Sequence, residues 1–342
     1  MAPMVVGCDI GFGNLKLVYG RTIEQAVRRV LPSGAVPIAQ APRAVDSSQN
    51  PMRGHTVNVA EPGGEDLWKA GVSWSDLPDV SRVLHSDYPS TKEYWALYMA
   101  ALLEARTDHI DLLVTGLPFS QFNQNADAVT ALQSKMVGVH HPSSERTVTV
   151  KAVKVMQQAI GAYVDAAYTD ADVHRLRDAH TLVFDAGFYS VDYVLLYRTA
   201  IFDGQSSSSM SATSEILDEA AKKMARHYAA RVSREAIEDA LRKGEKRVMV
   251  INRLESFEPF VEAAARTSAT KVINQIRNGL RSAAFDVGCV ILAGGAGSLY
   301  EPVLREAFPK AHIYNSPQPV LANARGFFRA GLRQSTMQQD SR

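Results

Sequence analysis

"VGCDIGFGNLKLVYG", residues 6–20, reads as two apolar strands joined by a glycine turn, with an acid closing the first strand and a lysine opening the second. Glycines at 11 and 13 let the backbone bend tightly and bring its N–H groups near an anion, an approach that a side chain at either position obstructs. Lys16 begins the returning strand, where its ammonium can stand beside a terminal phosphate. Asp9 repels phosphate directly, so its useful task is to hold the water shell of Mg²⁺, an ion that keeps several waters and takes few protein ligands. The competing reading is a hairpin whose glycines serve only the turn, and one short glycine motif does not decide between the two. The stretch is not a Walker A loop, since no G-x-x-x-x-G-K-[ST] occurs in the chain. It is not a dinucleotide fingerprint either, because no third glycine and helix follow at the right place.

A second turn shifts the balance. "FDAGFYSVD", residues 184–192, places Asp185 and Gly187 in the relation of Asp9 and Gly11, again between apolar strands. A third signal is "ILAGGAGSLY", residues 291–300, where Gly294, Gly295 and Gly297 open a helix. Exposed backbone there can lie under a ribose and base or meet a phosphate. A plain strand–helix packing corner is the alternative, one that suits Gly297 better than the Gly294–Gly295 pair.

Outward from these turns, apolar strands alternate with helical patterns, which argues for α/β layers. The spacing predicts helices over Thr91–Ala105 (amphipathic), Asn123–Ser134, Gln158–Tyr168, Ser214–Tyr228, Phe257–Phe285 and Asn323–Leu332, with Ser233 as the N-cap of a short helix ending at Gly244. Strands are expected at Ile110–Thr115, in a Thr/Val-rich pair before residue 150, and at "AHIYNSP". Residues 20–80 are punctuated by Pro and Gly, with a short strand near Thr56–Ala60 and a turn at "EPGGED". "DGQSSSSMS" reads as a tight polar loop, and "STMQQDSR" as a flexible tail. The repeated strand–Asp–turn–strand pattern predicts two similar halves, with a nucleotide in the cleft between them as the natural ligand position. The domains expected are 1–160, with 20–80 as a smaller subdomain, and 161–335, followed by a tail over 336–342.

With 342 residues, 46% hydrophobic and 21% charged, the chain has the composition of a globular protein with a sizeable core. Its 37 basic and 36 acidic residues give a net charge of +1, which argues against a whole-chain electrostatic grip on nucleic acid. Cys8 and Cys289 sit in apolar runs beside glycine and read as buried small hydrophobes in a reducing compartment. No leader pattern or membrane-length apolar run is seen, so the expected location is cytoplasmic, with no membrane partner.

The three turns in this order resemble the actin, heat-shock-chaperone and sugar-kinase ATPase superfamily. Within it the chain resembles bacterial plasmid-segregation actins of the ParM/StbA type, and most closely the ParM-like proteins D of the PRTRC plasmid systems. "VTGLP" (114–118), "VMQQAIGAY" (155–163), "DAGFYSVDY" (185–193) and "ANARGFF" (322–328) carry the narrower likeness. The resemblance implies an actin-like, ribonuclease H-like two-domain ATPase fold with ATP (or GTP) and Mg²⁺ in the cleft, and filaments that form with nucleotide bound and become unstable on hydrolysis. On that mapping Gly11, Phe12, Gly13 and Asn14 give backbone donors to phosphate and Lys16 meets its charge. Asp9 and Asp185 organise the metal's waters, and Gly187, Phe188 and Tyr189 form the second phosphate turn. Gln158 falls where the family places a Gln or Glu that orients the attacking water, with adjacent Gln157 as the other candidate. The resemblance also implies self-assembly, and contact with plasmid DNA only through a centromere-binding adaptor protein.

Two features depart from the family pattern. Phe188 and Tyr189 stand where Gly and Thr are common, and a Gln amide cannot act as a general base, which fits slow hydrolysis. A small-molecule kinase and a nucleotide-bound, non-hydrolysing scaffold remain as alternatives on the same core. The charged face of Glu215, Glu219, Lys222 and Lys223 reads as solvated helix surface in the region where a base would bind.

Overall fold

In the computed structural model, which describes residues 2–42, 53–60, 63–77, 82, 87–169, 178–198, 200–209, 212–280 and 286–340, the chain forms two compact units. One consists of Met1–Asp170 together with Ser316–Arg342, the other of Ala171–Asn315. The boundary read from the sequence, at 160/161, falls inside a helix of the first unit, and the chain returns to that unit at Ser316.

The first unit is organised around β1 (Val5–Ile10), every residue of which is buried. It pairs antiparallel with β2 (Asn14–Gly20), as the hairpin reading requires, and β2 pairs with β3 (Val27–Pro32). A small sheet follows, in which β4 (Gly34–Pro37) and β5 (His55–Asn58) flank β6 (Leu67–Val72). Helix α1 (Lys92–Glu104) is capped by Thr91, whose hydroxyl accepts from the Tyr94 amide. The sequence suggests one apolar face for α1, yet Tyr94 through Leu102 are all buried, because the helix packs against the central sheet, the small sheet and a third sheet. That third sheet comprises β7 (His109–Ile110), β9 (Gly138–Ser143) and β10 (Arg146–Val150). Between β7 and β9 run β8 (Leu112–Leu117), α2 (Phe119–Gln124) and α3 (Ala126–Met136). The single helix expected over 123–134 is thus two, because the Asn125 carboxamide caps a new start by accepting from the Ala128 amide at 2.9 Å. Strand β11 (Val153–Gln157) runs directly into α4 (Gln158–Thr169). The central sheet has the order β11–β8–β1–β2–β3, with β1, β8 and β11 parallel.

The second unit repeats this layout. β12 (His180–Ala186) and β13 (Val191–Tyr197) form the second predicted hairpin, extended by β14 (Ala200–Ile201). The serine run expected as loop contains β15 (Ser207–Ser209), whose backbone pairs with the outer part of β13, while Met210 and Ser211 lie outside the described residues. After α5 (Thr213–Tyr228) comes α6 (Arg234–Arg242), where Ser233 caps as predicted, accepting from the Ala236 amide at 3.2 Å. A half-exposed hairpin, β16 (Arg247–Val250) and β17 (Arg253–Ser256), which the sequence reading missed, buries Val248 and Val250 and leads into α7 (Glu258–Leu280). The remainder of the helix predicted to residue 285 lies outside the described residues. β18 (Cys289–Ala293), α8 (Gly297–Ala307) and β19 (His312–Asn315) complete the unit. Its sheet order is β14–β13–β12–β18–β19, with β12, β18 and β19 parallel, strand for strand the arrangement of the first unit.

Back in the first unit, α9 (Ala322–Asp340) covers the second face of β1. Part of the tail expected to be flexible belongs to this helix, which extends to Asp340. The approach is close because small residues line it. A Cβ on Gly7 would stand 2.2 Å from the Ala324 carbonyl oxygen, and one on Gly326 only 1.7 Å from that of Gly161 on α4. Val5, Val114, Phe327 and Phe328 fill the seam.

Candidate nucleotide site

Register places the acid and the cation of the first turn opposite each other. Asp9 and Lys16 are cross-strand partners, and the buried Asp9 carboxylate takes the Lys16 ammonium at 3.0 Å through Oδ2. Its Oδ1 accepts from Gln158 Nε2 at 2.9 Å. α4 starts with Gln158, so the strand-to-helix junction delivers this amide to the end of β1. Gln157 points elsewhere, donating to Asn123 at 2.6 Å. Three residues singled out from sequence, Asp9, Lys16 and Gln158, therefore meet in one cluster, and Gln157 does not join it.

Between Asp9 and Lys16 the turn closes with the Gly11 amide donating to the Asn14 carbonyl at 3.0 Å. A Cβ on Gly11 would press on Lys16 Nζ at 2.8 Å, so this glycine makes room for the ammonium. The neighbouring Cys8 thiol is held well above its usual pKa by burial and the adjacent Asp9 charge, which fits an inert core thiol. Cys8 and Cys289 are both buried and unbridged, as expected.

The second turn copies the first. Gly187 N donates to the Ser190 carbonyl at 3.0 Å, and Asp185 stands opposite Asp192 where the first hairpin pairs Asp9 with Lys16. Asp192 was not singled out as a site residue in the sequence, although it lies as far from Asp185 as Lys16 lies from Asp9. It is buried, and its carboxylate accepts from Ser190 Oγ at 3.0 Å and from Ser208 Oγ. The start of α5 holds the turn from outside, with Thr213 Oγ1 donating to the Gly187 carbonyl at 2.6 Å and the Ser214 amide to that of Phe188 at 2.8 Å. In a trans peptide the C=O and N–H point in opposite directions, so these contacts turn the Phe188 and Tyr189 N–H groups away from α5. The bulky Phe188 side chain packs on the unit's core beneath the Arg234 guanidinium. Aromatic residues after Asp-x-Gly thus leave the backbone of the turn intact.

Of the third motif, Gly294 is the constrained position. Its φ is +81°, and a Cβ would stand 2.2 Å from the Ala186 carbonyl oxygen and 2.6 Å from Asp185 Oδ1. Gly297, the glycine of the three that the alternative of a packing corner suited best, would meet only Leu292 Cβ at 3.8 Å. The corner thus sits against Asp185, and the Ala296 amide reinforces it by donating to Ala186 at 3.3 Å. Beside the second turn, α5 and α7 enclose a groove of about 390 Å³ that begins at Ser214 and is lined by Glu215, Glu219, Lys222, Lys223 and Lys271 among others. The charged face read as solvated helix surface therefore borders a concavity, with Lys271 bound to Glu215 at 3.2 Å.

A buried ionic cluster was also missed. Asp165 on α4, with 0% side-chain exposure, takes Nε of Arg325 at 3.0 and 3.1 Å, Nη2 of Arg325 at 2.6 Å, Nη1 of Arg329 at 2.7 Å and Ser316 Oγ at 3.2 Å. The sequence signal was Arg325 and Arg329 one helical turn apart inside the mostly small and apolar "ANARGFFRAG".

These features define an actin-like two-domain α/β fold, built from two sheets of equivalent order, each tipped by an acid and a glycine turn. Residues 7–161 match the family model described as the N-terminal domain of actin-like proteins. Among solved structures, the archaeal actin homologue Ta0583 in complex with ADP superposes with a TM-score of 0.75 at 18% identity, over 96% of this chain and 99% of that one. The 15-stranded ParM filament from Clostridium botulinum gives 0.74 at 18%, over 97% and 100%. A non-polymerisable quadruple mutant of pCBH ParM gives 0.74 at 17%, over 97% and 99%. No curated protein matches the chain in sequence. Among the described residues no helix is long and apolar enough to cross a membrane, and no group of three or more His, Cys, Asp or Glu is placed to hold a metal.

Proposed function

We propose that the chain is a filament-forming actin-like ATPase that acts in plasmid DNA segregation, of the ParM/StbA type and nearest to the PRTRC branch. The observation that carries the nucleotide reading is the doubled turn: an acid, a glycine amide closed onto the carbonyl three residues on, and the same sheet position in both units. ATP is the expected nucleotide, with GTP as the alternative. Gly11, Phe12, Gly13, Asn14 and Lys16 hold phosphate in the first unit, and Gly187, Phe188 and Tyr189 in the second. The fit rests on the ammonium of Lys16, the space that Gly11 leaves for it and the orientation of the turn amides. Gly294, Gly295 and Gly297 back the nucleotide, and the α5–α7 groove takes its base.

Mg²⁺ would be held through its waters by Asp9 and Asp185, where it neutralises phosphate charge; two single buried carboxylates suit an ion that keeps most of its waters. Gln158 spends its Nε2 on Asp9, so its Oε1 faces the other way, oriented to accept a hydrogen bond from water. An amide orients water without taking its proton, so hydrolysis is slow and acts as a timer on assembly. Self-association is supported by the likeness to a ParM filament, plasmid segregation and an adaptor to DNA by the sequence strings and near-neutral charge. The reading also places the protein in the cytoplasm.

Sedimentation with ATP, GTP, ADP and a non-hydrolysable triphosphate, followed in parallel by phosphate release, tests this reading. Triphosphate-dependent pelleting with slow phosphate release is expected. A protein that stays in the supernatant under every nucleotide, across protein and salt concentrations, refutes it.

A further inference from the structure

The first turn is gripped by residues outside it. Ser33, with 0% exposure, stands at the corner between β3 and β4, where the chain leaves the central sheet for the small one. Its Oγ donates to the Phe12 carbonyl and its amide donates to the Gly13 carbonyl at 3.3 Å. Two successive carbonyls of the turn therefore face Ser33. Because C=O and N–H oppose each other across a trans peptide, the Gly13 and Asn14 N–H groups face away from it.

Buried Trp74 fixes the direction of the serine proton. Its Nε1 donates to Ser33 Oγ at 3.1 Å, and an indole N–H can only donate, so the hydroxyl accepts from Trp74 and gives its own proton to Phe12. Trp74 is itself seated among Val36, Val72 and Leu77 of the small sheet and its flank, with the Arg82 guanidinium 4.8 Å above its ring. Tyr88 adds a second hold, its ring stacked on Phe12 with centroids 4.2 Å apart. The equivalent carbonyl of the second turn, Phe188, is likewise held from outside, by the Ser214 amide.

We infer that Ser33 is a positioning residue for the phosphates of a nucleoside triphosphate, and that Trp74 couples occupancy of the first turn to the small sheet. The inference rests on the nucleotide-binding reading above. Peptide 12–13 is the shared element: a phosphate would draw on its N–H side while Ser33 holds its carbonyl side. Hydrogen bonds in such a chain strengthen one another, so ligand on one side loads the serine–indole contact on the other.

Calorimetry with Mg-ATP and Trp emission on full-length protein test it, using S33A and W74F. S33A is expected to raise the Kd for Mg-ATP about tenfold in the folded protein, and W74F, which frees the hydroxyl to rotate, two- to fivefold. Mg-ATP is expected to change the emission of the parent, and W74F to abolish that change. A purely structural serine would lower the unfolding midpoint and leave Kd and emission response untouched, which overturns the inference. Should S33A fail to fold, W74F decides: an unchanged Kd or a surviving emission response refutes the coupling. If the parent itself binds no nucleotide, the functional reading and this inference fall together; if it binds and the variants bind equally well, only this inference falls.

Discussion

Replacing Arg325 with Met strips three guanidinium contacts from a carboxylate that has no access to water. Removing one partner of a buried ion pair costs about 3–5 kcal/mol, because the surviving charge keeps its desolvation penalty. Asp165 would still have Arg329 at 2.7 Å and Ser316 at 3.2 Å, which places the expected loss near the lower bound, about 3 kcal/mol. Asp165→Asn should cost a similar amount, since it leaves two guanidiniums, 8% and 13% exposed, without a counter-charge. The double variant, Asp165→Asn with Arg325→Met, should cost less than the sum by about 1 kcal/mol or more, because it leaves one guanidinium, that of Arg329, without its counter-charge instead of two. The assay is selective by a fortunate distribution: all three tryptophans, Trp68, Trp74 and Trp95, lie in the first unit, so emission in urea reports that unit alone. With a slope of about 2 kcal/mol per molar, the midpoint should fall by about 1.5 M for Arg325→Met. A shift below about 0.3 M, or a double variant that equals the sum of the singles, would refute the clamp.

Gly294→Ala forces a Cβ against backbone at φ +81° and should destabilise the second unit by about 3 kcal/mol or more, whereas Gly297→Ala should stay within about 1 kcal/mol; calorimetric unfolding compares them. Gln158→Ala should slow phosphate release by about ten- to a hundredfold while nucleotide affinity persists, and Gln157→Ala should leave the rate unchanged, since its amide is engaged by Asn123. Burial lowers the pKa of His140, so protons bind the unfolded chain more readily. Stability is then fully present above the usual histidine value of about 6.5 and falls as pH drops toward the depressed folded value, by at most about 1.4 kcal/mol per pH unit for this group. Urea midpoints between pH 7.5 and 5 should show this slope, and His140→Gln should flatten it.

How much of this was legible beforehand depended on how local the cause was. Both hairpins follow from apolar runs broken by Asp and Gly, and the Ser233 cap from a side chain acting three residues away. Gln158 was singled out only through resemblance to a family, and its meeting with Asp9, 149 residues away in sequence, needed the fold. β3 was missed because Arg28 and Arg29 break its apolar run, and β4 and β6 because Pro and Gly punctuate theirs; all three form by pairing with neighbouring strands. α1 shows why periodicity misleads: its buried side chains lie all round the helix, since sheets cover more than one face. Ser33 and Asp165 were invisible because a lone Ser and a lone Asp look like surface residues until distant donors are found around them.

The grip of α9 on β1 also orders events in time. Gly7 lies on the first strand described, yet the backbone that closes over it, at Ala324 and Phe328, is synthesised roughly three hundred residues after it. At about 5–20 residues per second the nascent first unit waits tens of seconds with one side of its central strand uncovered. The inserted second unit has time to form first. Ribosome-bound chains stalled before residue 322 should therefore offer that uncovered strand to chaperones, and lose it as a target once α9 emerges.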